Sequence, residues 1–224
     1  MHARLVTAYV PLKGHPRTAS EYGVLGERLS GVPVRKKAFY QRVEETWMYK
    51  YVKNLPFPAA ISVADNPTKN SLAYHCVQHE KIEWLRQAAT EYPDTDVLVW
   101  VDYGIFHQPH VCNEAIVRFM GSVDDRSIYA PGCWEPSPVI SRDVPCWRFC
   151  GSVLAVPTWL VDELAQAIKT QAIAHILTTH SIEWEVNTWA RAEQGVAAHL
   201  PWEWYKADHN VSQFTNLPLE LKDA

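Results

Sequence analysis

The chain has 224 residues, of which 47% are hydrophobic and 21% charged, and its formal net charge is −4. This length suffices for one large or two small domains with a sizeable core, and the composition excludes general disorder. The slightly acidic balance excludes whole-molecule attraction to nucleic acid or anionic lipid as the organising principle, although a local basic patch stays open. No apolar run approaches the roughly 20 residues that a bilayer span requires.

The start of the chain and its cysteines together predict a cytoplasmic protein. Residues 1–6 run directly into strand-like sequence and lack the apolar core of a signal peptide. The five cysteines are an odd number and contain no Cys-x-x-Cys pair. This pattern favours reduced thiols over a disulfide framework or a zinc ribbon.

In the first half of the chain, apolar runs and turn signals predict alternating strands and helices. A strand over 5–10 is followed by predicted helices over 20–29 and 37–52. The next predicted strand and helix cover 59–64 and 71–91. The strongest strand signal, 96–101, is continuously apolar, as expected for a central strand that is covered on both faces.

The second half continues the alternation with shorter signals. Its predicted strands cover 127–130 and 148–156, its predicted helices cover 113–120, 158–170 and 182–192, and the last twenty residues are expected to be irregular. Strands that alternate with helices indicate an α/β fold with helices on both faces of the sheet. Because no repeat, low-complexity tract or linker interrupts the pattern, one domain is the simplest interpretation.

The most informative site is the end of the central strand, where Asp102, Tyr103 and Gly104 follow Trp100-Val101. In open α/β sheets, ligands bind beyond the carboxyl ends of strands. A carboxylate placed there can bind a divalent cation or a ribose hydroxyl. The alternative is an aspartate that caps a turn. The predicted strand at 59–64 also runs into an acid, Asp65, which favours a shared site.

Further motifs surround this strand end. A helix that starts near Lys69-Asn70 and contains Tyr74 and Lys81 precedes it, and Phe149-Cys150-Gly151-Ser152-Val153 and Glu183-Trp184-Glu185-Val186-Asn187 follow it. This order resembles GT-A-fold glycosyltransferases, particularly the bacterial HtrL/YibB-type glycosyltransferase-like group, over roughly residues 5–216. The resemblance implies a single GT-A-like domain, 1–224, with a mixed, mostly parallel central sheet between helices. A nucleotide-binding half would reach to about residue 105, and an acceptor-binding half would cover about 106–224.

The resemblance also implies a divalent metal. In such enzymes an Asp-x-Asp strand end holds Mn²⁺ or Mg²⁺ on the donor diphosphate. Asp102 takes the place of the first acid and Tyr103 the middle position, but Gly104 stands where the second acid would be. This departure puts metal dependence in question, because a hard dication usually takes several oxygen ligands. His209 resembles the late histidine that completes the metal site in several GT-A families, and its alternative is a surface histidine in a polar tail.

The implied donor is a nucleotide-diphosphate sugar, with UDP as the expected nucleotide. Its expected binding residues follow the first strand, flank the helix start near residue 70 and surround Asp102; they are Thr7, Ala8, Tyr9, Asp65, Lys69, Asn70, Tyr103 and Gly104.

Acceptor-side residues are implied by the later motifs. Glu183 and Glu185 resemble the acidic motif near the acceptor, where an inverting transferase needs a general base. Because the two glutamates are two residues apart on a predicted helix, only one of them is expected to face the crevice. The alternative is that both carboxylates are present because negative charge is favoured at the start of a helix. Expected acceptor-binding residues are Trp134, Trp147, Arg148 and Gly151, each of which has a structural role as its alternative.

The leading hypothesis is a transferase that moves a sugar to a glycan, lipid, protein or modified base. A non-catalytic nucleotide- or carbohydrate-binding protein on the same fold is the first alternative, because of Gly104. A metal-dependent hydrolase would require two of its histidines to converge, from the set His75, His79, His107, His110 and His209. We expect His75 and His79 on the surface of their helix. Dehydrogenase, P-loop, α/β-hydrolase and zincin motifs are missing from the sequence.

Near the end of the chain, Trp202, Trp204 and Tyr205 are three aromatic residues within four positions. We expect Trp202 or Trp204 to anchor this tail on the sheet. Anchoring there would bring Asp208 and His209 back towards Asp102.

Overall fold

The computed structural model describes residues 2–12, 17–54, 69, 71–137, 139–141 and 144–218. Within these residues one sheet has six strands, β1 (Ala3–Tyr9), β2 (Lys36–Tyr40), β3 (Val97–Val101), β4 (Ile128–Gly132), β5 (Val153–Pro157) and β6 (Trp202–Lys206). Their order across the sheet is β2-β1-β3-β5-β4-β6. Strand β5 is antiparallel to both of its neighbours, and the other neighbouring pairs are parallel. The predicted mixed, mostly parallel sheet is therefore confirmed.

Helices cover both faces of this sheet. They are α1 (Ala19–Ser30), α2 (Trp47–Val52), α3 (Leu72–Glu91), α4 (Asn113–Met120), α5 (Val161–Thr179), α6 (Glu185–Gln194) and α7 (Ser212–Thr215). Alternate residues of β3 enter two different apolar clusters. Leu98 and Trp100 pack in the cluster with α3, α5 and α6, while Val97, Val99 and Val101 pack in the cluster with α4 and α7. A strand buried on both faces needs this continuous apolar sequence.

Helix starts follow local capping signals. Thr18 and Glu21 form a capping box, in which each side chain accepts a hydrogen bond from the backbone N–H of the other residue. Ser71 caps α3 by accepting a hydrogen bond from the backbone N–H of Tyr74 at 3.1 Å. The cap fixes where α3 begins and therefore which of its side chains face the sheet.

Besides the strand predicted over 148–156, which begins only at Val153, two predicted elements differ in the structure. The helix predicted over 37–52 is wrong at its start, because residues 36–40 form the edge strand β2 and the helix begins only at Trp47. The tail is not irregular, since residues 202–206 form β6, paired in parallel with β4. In both places aromatic residues favour a strand once a neighbouring strand supplies hydrogen-bond partners. The strand predicted at 59–64 lies outside the described residues.

The tail is held at its aromatic residues, as predicted. The indole Nε1 of Trp204 donates to the Arg148 carbonyl at 2.9 Å. The Trp202 indole donates to the Ala197 carbonyl at 3.0 Å and stacks on Phe149.

Among the helices that the structure describes, none combines the length and apolar character that crossing a bilayer demands.

Candidate active site

The strand ends converge at one edge of the sheet. Because β5 runs opposite to its neighbours, its amino end lies beside the carboxyl ends of β3 and β4. A crevice of about 380 Å³ opens at this edge. Its lining combines aromatic rings with charged groups, among them Tyr9, Tyr22, Lys69, Tyr74, Lys81, Trp100, Asp102, Tyr103, Trp147, Trp184, Glu185 and His209.

A buried lysine joins two carboxylates in the crevice. The Nζ of Lys81 lies 2.9 Å from Glu185 Oε1 and 3.3 Å from Asp102 Oδ1. It also donates to the Gly151 carbonyl at 2.9 Å. The Trp100 indole donates to Asp102 Oδ1 at 2.8 Å. These contacts fix the position of the Asp102 carboxylate, whose side chain keeps 34% exposure.

Four separate elements supply this arrangement. Lys81 projects from α3, Asp102 follows β3, Gly151 precedes β5, and Glu185 opens the first turn of α6. Gly151 has a φ of +75°, and a Cβ there would lie 2.9 Å from Glu185 Oε1. Glycine thus permits both the backbone turn and the close approach of the carboxylate.

The charges of the three groups stabilise one another. Burial alone would lower the pKa of Lys81, but Asp102 and Glu185 outweigh it, and its pKa is raised. Burial alone would raise the pKa of Glu185, but attraction to Lys81 and its hydrogen bond outweigh it, and its pKa is lowered. Glu185 is therefore ionised at neutral pH. Its Oε2 is buried and has no hydrogen-bond partner within the described part of the chain.

Aromatic rings form two walls of the crevice. Trp100 stacks on Trp84 with ring centroids 5.4 Å apart. On the other side Tyr9 contacts Tyr22 at 5.4 Å and Tyr103 at 5.1 Å. The tyrosine rings are partly exposed and suit stacking with a base or a sugar ring, whereas Trp84 and Trp100 are buried at 1% and 2% exposure.

The predicted donor-side residues divide into three groups. Ala8, Tyr9, Lys69, Tyr103 and Gly104 line the crevice, and burial lowers the pKa of Lys69. Thr7 is buried in β1 and does not line the crevice. The predictions for Asp65 and Asn70 fall outside the described residues.

The two predicted acidic residues at the start of α6 have different surroundings in the structure. Glu185 lines the crevice, whereas Glu183 does not. The Glu183 carboxylate accepts from Arg191 Nε at 3.1 Å and from the Thr188 hydroxyl at 3.2 Å. The expectation that one of the two faces the crevice is confirmed, and Glu183 instead stabilises α6.

The predicted acceptor residues are also separated. Trp147 lines the crevice, and Gly151 presents its carbonyl to Lys81. Arg148 is buried and forms a two-bond pair with Glu193, at 2.9 and 2.6 Å. Trp134 is 48% exposed and is not part of the crevice lining. Neither Arg148 nor Trp134 lines the crevice, because the connection between β4 and β5 places their side chains away from it.

The structure contradicts the prediction that His75 and His79 lie on the surface of their helix. His75 and His79 are buried at 0% and 2% exposure, so that prediction is wrong. The Nε2 of His79 lies 3.0 Å from the Glu183 carbonyl, and burial lowers the pKa of His79 to about 4. Within the described residues, no metal-ligating group of three or more includes two histidines. This finding removes the arrangement that a histidine-based hydrolase would need.

His209 lines the crevice next to Trp147, whose ring lies 4.5 Å away in a T-shaped contact. Its Nδ1 lies 3.8 Å from Cys133 Sγ and 3.5 Å from Asp208 Oδ1. A hydrogen bond with Cys133 raises the pKa of His209. The contacts of its Nδ1 are therefore with Cys133 and Asp208.

Sequence reasoning did not assign Lys81 a role in the site. The signal was present, because Lys81 interrupts an otherwise apolar helical stripe of Val77, Trp84 and Ala88. A lysine in such a stripe must find buried partners when the helix packs. The residue types alone do not show that these partners come from three distant elements.

The arrangement defines an α/β protein with a polar, aromatic-lined crevice at its carboxyl sheet edge. A similar solved structure is a glycosyltransferase involved in the glycosylation of the major capsid of PBCV-1. The two share 12% sequence identity and superpose with a TM-score of 0.52, over 93% of this chain and 82% of the other. The fold of this chain is therefore similar to that of this solved glycosyltransferase. No family model and no curated protein matches the sequence.

Proposed function

We propose that the chain is a glycosyltransferase that moves a sugar from a nucleotide-diphosphate sugar, with UDP as the expected nucleotide, to an acceptor hydroxyl. The observation that carries the proposal is the Lys81-linked pair of carboxylates, Asp102 and Glu185, at the ligand-binding edge of this fold. The similarity to a solved glycosyltransferase supports the same class of reaction.

The donor would occupy the side of the crevice formed by β1 and β3. Tyr9 and Tyr103 provide ring faces for the base, and the second carboxylate oxygen of Asp102 accepts hydrogen bonds from sugar or ribose hydroxyls. Lys69, which lines the same crevice, offers a cation to the diphosphate. Burial lowers its pKa, and a bound phosphate would favour its charged form.

The acceptor would approach from the β5 and α6 side. In the proposed step its hydroxyl oxygen bonds to the anomeric carbon, the bond from that carbon to the phosphate oxygen breaks, and the nucleoside diphosphate leaves. The Glu185 carboxylate, which lines the crevice, accepts the hydroxyl proton, and Lys81 holds it in its ionised form. If the reaction retains configuration, Glu185 orients the acceptor instead.

The divalent cation predicted at Asp102 and His209 does not fit the side chains present. Oδ1 of Asp102 accepts from Trp100 and faces the Lys81 ammonium, and Gly104 supplies no second carboxylate. Mg²⁺ is usually held by one or two carboxylates together with phosphates and water, and here the Lys81 ammonium already lies 3.3 Å from the single carboxylate at this strand end. We therefore derive no step through a metal, and we expect Mn²⁺ affinity in the presence of UDP to be equal in wild type and His209→Ala.

The proposal is tested with Asp102→Asn, which keeps the shape of the side chain and removes its charge. We expect UDP-sugar hydrolysis or transfer to fall by about 10²-fold, measured as release of UDP over a panel of sugars and acceptors. Asp125→Asn, an exposed acid remote from the crevice, is the matched control. Full activity in Asp102→Asn would remove Asp102 from the mechanism.

A non-catalytic nucleotide- or carbohydrate-binding protein is the second candidate, because Gly104 occupies the place of the second acid. Calorimetric titration with UDP, with and without Mn²⁺, is paired with the turnover assay. Binding without turnover over a broad panel would favour this candidate, and turnover would reject it.

A further inference from the structure

A group of soft ligand atoms lies at one wall of the crevice. Cys133 Sγ is 3.9 Å from Cys150 Sγ and 3.8 Å from His209 Nδ1. All three ligand atoms lie within 4.8 Å of one another. Both cysteines are free thiols, and their 3.9 Å separation is far from the roughly 2.05 Å of a disulfide.

Three neighbouring strands bring these side chains together. Cys133 follows β4, Cys150 precedes β5 and His209 follows β6. Backbone hydrogen bonds hold the three segments in place. Cys133 N–H donates to the Trp147 carbonyl, Cys150 N–H to the Pro131 carbonyl and Ala207 N–H to the Gly132 carbonyl, each at 2.8 Å. The positions of the ligand atoms thus follow from the sheet itself.

The Cys133–Cys150 and Cys133–His209 separations are close to those around a tetrahedral zinc ion. With Zn–S bonds of about 2.3 Å and Zn–N bonds of about 2.0 Å, a tetrahedral ion holds two sulfurs roughly 3.8 Å apart. It holds a sulfur and a nitrogen roughly 3.5 Å apart. Thiolate and imidazole are also the ligand types that zinc prefers over the hard dications.

A carboxylate lies next to the group and contacts two of its members. Oδ1 of Asp208 lies 3.8 Å from Cys133 Sγ and 3.5 Å from His209 Nδ1. The backbone N–H of His209 donates to the same oxygen at 2.7 Å, which fixes the carboxylate. Trp147 packs against the imidazole and limits its rotation.

We propose that Cys133, Cys150 and His209 form a zinc site, in which a water molecule would complete the tetrahedral shell. The ion would join the ends of β4, β5 and β6 beside the crevice, to which Cys150 and His209 also contribute. Its main effect would be structural, because a ligand that binds only the folded chain stabilises it. The proposal does not depend on the transferase reaction.

Cobalt substitution tests the site directly. Reduced, metal-free full-length protein is titrated with Co²⁺ and then with Zn²⁺. We expect one equivalent of Co²⁺ to give a thiolate-to-cobalt charge-transfer band and the visible bands of a tetrahedral ion, and Zn²⁺ to abolish both. We also expect Zn²⁺ to raise the midpoint of thermal unfolding and a chelator to reverse the rise.

Variants assign the ligands. Cys133→Ser and His209→Ala should each weaken Zn²⁺ binding by at least about tenfold, because each removes a ligand. Cys112→Ser, a partly buried cysteine outside the group, should bind as wild type does. Since His209 is partly exposed, we expect His209→Ala to fold. The Co²⁺ titration of the wild-type protein tests the site even if a variant fails to fold.

Three results would overturn the proposal. One is a folded wild type with no charge-transfer band at stoichiometric Co²⁺. Another is unchanged zinc affinity in His209→Ala. The third is a Cys133–Cys150 disulfide in protein purified under reducing conditions, detected by mass spectrometry, because it would consume both thiolates.

Discussion

The positive charge of Lys81 offsets the cost of placing the Asp102 and Glu185 carboxylates in the crevice. Replacement by methionine would leave Glu185 as a buried carboxylate without its cation. We expect Lys81→Met to lower the free energy of unfolding by about 3–5 kcal/mol, measured by urea denaturation. The double variant Lys81→Met/Glu185→Gln should lose less than the sum of the two single variants.

Lys53→Met is the matched control, since Lys53 is exposed at the end of α2. It should change the free energy of unfolding by no more than about 0.5 kcal/mol. Strict additivity of Lys81→Met and Glu185→Gln would show that their contact carries no coupling energy.

Glu80 makes the free energy of unfolding depend on pH. Burial raises its pKa to about 7, although its carboxylate accepts hydrogen bonds from Trp47 N–H at 2.7 Å and from Gln41 at 3.5 Å. The folded state therefore holds a proton that the unfolded state releases near pH 4.5. Glu80 contributes full stability below that pH, and the contribution is lost as the pH rises through about 7.

We expect Glu80→Gln to be more stable than wild type at pH 8 by on the order of 1–3 kcal/mol, and closer to it at pH 5. Denaturant unfolding at both values measures the difference. Glu44→Gln, an exposed neighbour, should track wild type at both. A difference between Glu80→Gln and wild type that is the same at pH 5 and pH 8 would contradict the raised pKa.

Individual site residues could be predicted where the signal is local in the chain. Asp102 and Gly104 follow the strongest strand, and Glu185 opens a helix. Lys81 could not be assigned, because its role depends on partners up to 104 positions away. The pairing of Glu183 with Arg191 is likewise a result of packing, although the two residues are only eight positions apart.

At the scale of elements, α1 shows how two glycines in one helix can have opposite roles. A Cβ on Gly26 would lie 1.9 Å from the Tyr103 hydroxyl, whereas a Cβ on Gly23 would meet nothing within 4 Å. We expect Gly23→Ala to raise the free energy of unfolding by about 0.5–1 kcal/mol. Gly26→Ala should instead be less stable than Gly23→Ala by about 1–3 kcal/mol, because Tyr103 must move.

Thermal and urea unfolding of the two variants side by side provide the measurement, and each serves as the control for the other. Equal stability of Gly23→Ala and Gly26→Ala would mean that α1 does not pack closely on Tyr103.

Elements with their own periodicity were predictable, and elements that depend on a distant strand were not. The continuous apolar run of β3 and the long amphipathic α3 are local patterns. The aromatic residues of β2 have helical spacing in the sequence, but residues 36–40 pair with β1, more than 25 positions earlier. Strand β6 forms for the same reason on β4. Tertiary pairing outweighs the local preference in both.

For the whole molecule, the alternation of strands and helices was enough to predict an α/β sheet with helices on both faces, whereas its mixed strand directions were implied by the resemblance to GT-A-fold enzymes. The reversed direction of β5 was not predictable, because strand direction leaves no periodic signal in the residues. The meeting of Cys133, Cys150 and His209 could not be predicted either, since 16 residues separate the cysteines and 58 more separate Cys150 from His209. The division into a donor half and an acceptor half stays a prediction.

The reversal of β5 has an evolutionary consequence. The chain leaves the sheet after Cys133 and re-enters it after Cys150, at the same edge and with the two sulfurs 3.9 Å apart. Because both ends of the intervening segment lie at one sheet edge, changes in its length would leave the strand registers unaltered, provided that the bonds of Asn187 and Arg191 to it are kept. Under the proposed function, variation of this segment would alter what reaches Glu185 from outside while the Asp102 side stayed constant. Related chains with the same sheet would then share a donor and differ in their acceptors.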